Sequence, residues 1–385
     1  MQTIGGTTGA STIVNSIYLD WNATTPPLPE VVEAVAQASR QWWGNPSSSH
    51  GRGAMARQQV ELARERVGQL VGRPAFDVIF TGGGTESNNL AIRGLLDRVG
   101  PVICSRMEHP SVLHVVEALQ NERTVHWLDV DQRGVVDPEQ VRETIVSSSK
   151  PCLVVIQWVN HETGVIQPVE EIVQQAHEHG SIVHVDAVQG IGKLQGRPWS
   201  EADTISLSSH KIRGPQGIGA LVGASCQRLR PMMLGGPQER KLRPGTVPVA
   251  LAVGFGVAAS WASSSPSRYD AIRTLRDHLE REMIQMGAKR NGQGKRVPHV
   301  TNVSFEGVLG DELVAACDVE GVCLSAGSAC ASASSGATSA VAALLGPKRG
   351  LEAVRASLGE LTTAQEIEKA VEVIRRVVGR ASGDG

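Results

Sequence analysis

From about residue 76 to residue 223, short apolar runs alternate with stretches spaced like helices. Residues 76–80, 102–105, 153–158, 182–186, 204–208 and 218–222 are predicted strands. Between several of them lie helix signals, such as Val169 to His179 stopped by Gly180. This alternation predicts an α/β fold with a mostly parallel sheet covered by helices. Ligands of such sheets bind beyond the carboxyl ends of the strands. Ahead of the sheet, Val60, Ala63, Val67 and Leu70 share one helix face. The serine-rich segment 260–267 marks a boundary, after which the chain turns charged and helical. From about Val297 it becomes a unit of short strands. The last helix opens on Thr363-x-x-Glu366, a capping box, and carries the stripe Ile367, Ala370, Val371, Ile374, Val377 and Val378. The expected organisation is a large domain over 21–264 and a smaller α+β domain made of 1–20 plus 265–385.

Composition narrows the picture without changing it. The 385 residues are 41% hydrophobic and 20% charged, ordinary for a globular chain. A net charge of −2 gives no reason to expect nucleic acid or an anionic membrane as partner. No apolar run reaches the roughly 18 residues of a spanning helix. Residues 1–16 are rich in Gly, Thr and Ser, without the basic and apolar regions of a secretory signal, so a disordered lead-in is expected. The six cysteines, Cys104, Cys152, Cys226, Cys317, Cys323 and Cys330, form no C-x-x-C pair and no metal spacing. With no export signal they are expected to be reduced thiols in the cytoplasm.

Polar motifs follow the predicted strand ends. Thr81-Gly82-Gly83-Gly84-Thr85-Glu86-Ser87-Asn88-Asn89 leads from a strand into a helix. It is either a phosphate cradle, with Gly84 and Thr85 at a helix N-terminus, or a tight strand-to-helix turn. It has neither Walker nor dinucleotide spacing. His109, in Glu108-His109-Pro110-Ser111, can stack on a planar ring and exchange protons, or be an ordinary loop histidine. Asn160-His161-Glu162-Thr163-Gly164 suits a ring hydroxyl or a capped turn. Asp186 closes an apolar run and could pair with a pyridine nitrogen, with Gln189 near the ring oxygen; a strand-end surface carboxylate is the alternative. Lys211 follows Ser208 and His210 and lies 25 positions after Asp186 (211 − 186), which suits neighbouring strands. An amine there, beside hydroxyls and an imidazole, suggests pyridoxal phosphate held as a Schiff base. Cys330 sits in the small-residue run from Ser325 to Gly336, placed for attack and hand-off rather than packing.

Taken in order, Asp20-x-Asn22-Ala23-Thr24-Thr25, Gly83-Gly84-Thr85-Glu86-Ser87-Asn88, Glu108-His109, His161-Glu162-Thr163-Gly164, Asp186-Ala187-Val188-Gln189, Ser208-x-His210-Lys211 and Gly327-Ser328-Ala329-Cys330 resemble the pyridoxal-phosphate cysteine desulfurases. These enzymes belong to the class V aminotransferase group, and the resemblance runs from about Tyr18 to Val378. It implies the aminotransferase-like fold (fold type I): a large domain with a mostly parallel seven-stranded sheet and a smaller α+β domain. It implies that Lys211 carries the cofactor and moves protons, that Asp186 pairs with the pyridine nitrogen, and that Gln189 and His161 meet the ring oxygen. His109 would stack on the ring as acid and base, and Gly84, Thr85, Ser208 and His210 would bind phosphate. Thr246 would reach the phosphate held by a second subunit, which implies a homodimer. Arg355, with Asn22, would hold the substrate's carboxylate. Cys330 would take sulfur from L-cysteine, leaving alanine and a persulfide. The Gly-Ser-Ala-Cys setting resembles the branch with a long loop, which hands sulfur to iron–sulfur scaffold or tRNA-thiolation proteins.

The chain departs from the family at His161, where asparagine is usual, at Pro237 and Pro244, and after Cys330 in Ala337-Thr338-Ser339-Ala340-Val341. Three other readings remain: a selenocysteine lyase, a class V aminotransferase with no use for Cys330, and a sulfur carrier without cofactor. The last is disfavoured by the presence of Lys211.

Overall fold

The computed structural model describes residues 16–327 and 339–381. Of the lead-in expected over 1–16, all but Ser16 lies outside the described residues, as does Cys330 with its neighbours.

A seven-stranded sheet organises the chain. Its order is Val78–Thr81, Gly219–Val222, Thr204–Ser208, Ile182–Asp186, Leu153–Gln157, Val102–Ser105 and Val125–Leu128. The strands from Thr204–Ser208 to Val125–Leu128 pair in parallel. Gly219–Val222 runs against both its neighbours. Alternation along the strands divides their apolar side chains between two faces. Val154 and Ile156 join Val183, Val185, Ile205 and Leu207 on one side, under the helices Gly51–Val71 and Val249–Ala262. Leu153 and Val155 join Ile79, Val102 and Leu221 on the other, under Gly84–Leu95 and Pro110–Leu119. The family fold inferred from sequence is the fold observed.

Two details differ from the sequence pattern. The first strand starts at Val78, because Ala75–Asp77 forms a 3-10 turn. Val125–Leu128 was not anticipated: it is a half-exposed edge strand whose His126 and Trp127 interrupt the apolar run.

A separate apolar cluster gathers Ile17 and Leu19 with Leu279, Val303, Val354 and the stripe of the last helix, Ala364–Ala381. All six predicted stripe residues are buried. The capping box forms, with the Thr363 N–H donating to Glu366 Oε2 and the Glu366 N–H donating to Thr363 Oγ1. Beside this cluster an antiparallel sheet pairs Val300–Ser304 with Ala353–Ser357 and Lys289–Arg290.

Glu239, Arg240 and Lys241 have φ of 40°, 58° and 67°, a left-handed run that side chains with a Cβ disfavour. A buried ion pair holds it. Arg64 donates two bonds of 2.7 Å to the Glu239 carboxylate, and the Phe80 N–H donates a third at 2.8 Å. Removing one partner of such a pair strands the other charge. Glu239→Ala is therefore expected to lower the unfolding free energy by about 3 to 5 kcal/mol, read by urea denaturation; a loss below about 1 kcal/mol would show the pair to be dispensable.

Candidate active site

The carboxyl ends of the central strands open on a cavity of about 240 Å³. Gln157, Asp186 and Ser208, each the last residue of its strand, line it. Gly84, Thr85, His109, His161, Gln189, His210 and Lys211 line it too. Residues spread over more than a hundred positions thus converge because parallel strands deliver their ends to one edge.

Asp186 is held from two sides. Asn88 Nδ2 donates to Oδ2 at 2.8 Å, and the Val188 N–H donates to Oδ1 at 3.0 Å. The Asn88 amide is itself oriented, since its Oδ1 lies 3.0 Å from His184 Nε2 and its Nδ2 also reaches Ser111 Oγ at 2.9 Å. For Asn88 to keep both roles, His184 carries its proton on Nε2. Burial pushes the Asp186 carboxyl above its ordinary value, against the two donated bonds. A buried carboxylate at a strand end, presented to a cavity, suits a protonated heteroaromatic nitrogen.

At the other end of the cavity the helix Gly84–Leu95 begins. A Cβ on Gly84 would stand 2.9 Å from Val188 Cγ2 and would have to push that side chain aside, so here bare backbone lines the cavity. Helix N-termini favour anions. Ser208 and His210 border the same end, and His210 is pushed down to about 4 by burial and by Lys211 and Lys193. A neutral imidazole there can still donate one hydrogen bond to a phosphate.

Lys211 donates to the carbonyls of Asn22 at 2.5 Å and Ala23 at 2.8 Å. Gln189 Nε2 donates to the same Asn22 carbonyl, and Lys193 Nζ donates to Gln189 Oε1 at 2.9 Å. His109 Nδ1 accepts from the Ser111 N–H at 3.1 Å, which leaves the ring proton on Nε2. Burial, then the charges of His161, Lys211, His114 and Arg355, hold His109 well below its ordinary range.

Asn22 and Arg355 stand behind the wall rather than in it. Asn22 Nδ2 donates to the His161 carbonyl at 3.1 Å; Arg355 donates to that carbonyl at 2.9 Å and to Asp20 Oδ1 at 2.6 Å. Thr246 is exposed and outside the cavity lining. Cys330 lies outside the described residues.

Asn88, Ser111, Gln157 and His184 have no role predicted from sequence. His184 had a signal: it lies two residues before Asp186 on one strand, hence on the same face.

The class V aminotransferase model matches residues 17–370, and the chain belongs to that family. It is 37% identical to a cysteine desulfurase of Trichormus azollae over 94% of this chain and 93% of that one. It is 39% identical to the cysteine desulfurase IscS of Ehrlichia chaffeensis over 93% and 90%. The solved NifS-like protein from Rickettsia africae superposes with a TM-score of 0.85 at 29% identity, covering 94% of this chain and 99% of that one.

Burial pushes His184 down to about 3, far below the roughly 6.5 of an unfolded histidine. Between these values the unfolded chain binds the proton and the folded one does not. The contribution of His184 to stability is therefore complete above about pH 6.5 and is lost as pH falls toward 3. His184→Gln is expected to flatten the decline of the denaturation midpoint between pH 6.5 and 4.5; an unchanged slope would mean the imidazole is not kept neutral.

Proposed function

We propose that this chain is a homodimeric, cytoplasmic cysteine desulfurase that uses pyridoxal phosphate and stores sulfur on Cys330. The observation that carries the reading is the meeting of Lys211, Asp186 and His109 in one cavity whose far end is a helix N-terminus. The residues fit the cofactor. Asp186 would hold the pyridine nitrogen, Gln189 and His161 the ring oxygen, and Gly84, Thr85, Ser208 and His210 the phosphate, with Lys211 as the amine that holds it. Bound there, pyridoxal phosphate supplies an electron sink beside the substrate's α-carbon.

The chain's own groups do the rest. Lys211 carries protons at Nζ, and the low basicity of His109 suits a group that passes a proton on rather than keeping it. Arg355 and Asn22 would orient the carboxylate end of L-cysteine. For Arg355 this means exchanging Asp20, its present partner, for the substrate. The sulfur of Cys330 forms an S–S bond with the substrate sulfur as the substrate's C–S bond breaks. The electron pair left on carbon takes a proton and L-alanine departs. Thr246, exposed and away from its own cavity, is available to the cavity of a second subunit. A large domain over 21–264 and a small one from 1–20 plus 265–385 are supported by the separate apolar cluster, although Val297 and Val300 pack with the large one. The persulfide would pass to an acceptor protein of iron–sulfur assembly or thiolation.

Protein supplied with pyridoxal phosphate is expected to gain a visible absorbance band that is missing in Lys211→Ala, and to form L-alanine from L-cysteine. Cys330→Ala is expected to keep the band and lose persulfide formation by at least about 100-fold. A wild-type protein with no band, or a persulfide label on another cysteine, would sink the assignment.

A further inference from the structure

Among the described residues lining the cavity, His161 has both ring nitrogens buried and without a hydrogen-bond partner. Burying polar atoms in this way costs stability unless something at the site uses them. The next residue, Glu162, is 1% exposed, and its Oε1 stands 3.5 Å from His161 Nε2. That is a long contact, short of a formed hydrogen bond. Glu162 Oε2 is tied down separately, accepting from the Val341 N–H at 3.2 Å. Burial raises the Glu162 carboxyl, but His161 and the Val341 and Ala340 amides outweigh it and hold the group below its ordinary value. An ionised carboxylate is therefore fixed in place beside the ring.

His161 also meets His109 edge to face, with ring centres 5.0 Å apart. Two imidazoles so close do not readily both carry charge. His109 has its Nδ1 occupied by Ser111 and no carboxylate hydrogen-bonded to it among the described residues. His161 has Glu162. The other groups facing His161 come from the neighbouring elements. Arg355 on Ala353–Ser357 donates to its carbonyl, Lys211 stands in the turn after Thr204–Ser208, and Asp186 ends Ile182–Asp186. Lys211 and Arg355 oppose a charge on His161, while Asp186 and Glu162 favour it, and Arg355 is itself engaged by Asp20.

We propose that His161 and Glu162 form a histidine–carboxylate pair that stores the proton given up by the substrate's ammonium group, His161 receiving it and Glu162 acting as the positioning residue. The N–H bond of the ammonium breaks and its electron pair stays on the amine nitrogen. A new N–H bond forms at His161 Nδ1, with Nε2–H directed at Glu162; nothing is oxidised or reduced. His109 is then the transient carrier and His161 the store. This division rests on the desulfurase reading for its substrate, and on the buried contact of the two side chains for the pair.

The test is an NMR titration of the holoenzyme labelled with carbon-13 at histidine Cε1. The resonance absent from His161→Asn is assigned to His161. Its midpoint is expected to fall by about one unit or more in Glu162→Gln, a tenfold loss of proton affinity. Glu162→Asp should restore part of the shift. The acid limb of kcat/KM for L-cysteine should move in parallel in each variant. If Glu162→Gln does not fold, the wild-type titration decides: a His161 that stays neutral down to pH 5 overturns the pair, as does a midpoint unmoved in a folded Glu162→Gln. Failure of the desulfurase reading is distinguishable, because it removes alanine formation from wild type while the titration of His161 can still be read.

Discussion

The site depends on keeping one carboxylate, Asp186, buried at the end of a central strand. Little of it meets solvent, so its stability rests on an ordered chain of hydrogen bonds. Thr204 and Asn88 bracket His184, Asn88 reaches Asp186, and the Val188 backbone closes the other oxygen. Each member fixes the orientation of the next, so a neutral imidazole two residues upstream on the strand decides how an amide on the helix Gly84–Leu95 faces the cavity. Core polar networks of this kind are rigid when fully satisfied and costly when any member is lost.

The cavity is also lined by more basic groups than acidic ones. Lys211, Lys193, Arg355 and three histidines stand in or near it, and burial with mutual repulsion holds Lys193 and His109 well below their ordinary values. A phosphate at the helix N-terminus and a substrate carboxylate would each relieve that imbalance. The same imbalance explains why Arg355 is found on Asp20 and why the Asn22 carbonyl collects donors from both Lys211 and Gln189.

Much of this was legible in the chain. Strand-end motifs carry their own position, because an apolar run that stops on Asp186 or Ser208 announces the edge where a ligand binds. The capping box at Thr363 and the stripe from Ile367 to Val378 are local signals, and local signals survive folding. What could not be seen was relational. Asn88 and His184 are ordinary polar residues until the sheet register brings them together across 96 positions. The Arg64–Glu239 pair spans 175 positions and leaves no periodic trace. Val125–Leu128 escaped notice because an edge strand need not be apolar. Arg355 was expected to wait for a substrate, and its engagement by Asp20 depends on a bridge between Asp20 and Ser357 that no spacing reveals.

The reversed strand Gly219–Val222 has a consequence for Lys211. A parallel partner would need a long crossover to re-enter the sheet, whereas an antiparallel one returns at once. Lys211 therefore lies in a direct return between Ser208 and Gly219, residues that pair across the ladder. Gly219 abuts the glycine turn so closely that a Cβ there would sit 2.7 Å from Gly83 Cα. The loop that carries the amine is thus held at both its ends. The helical crossovers elsewhere can lengthen without moving the amine, whereas an inserted residue between Ser208 and Lys211 would shift it relative to the strand end that holds it.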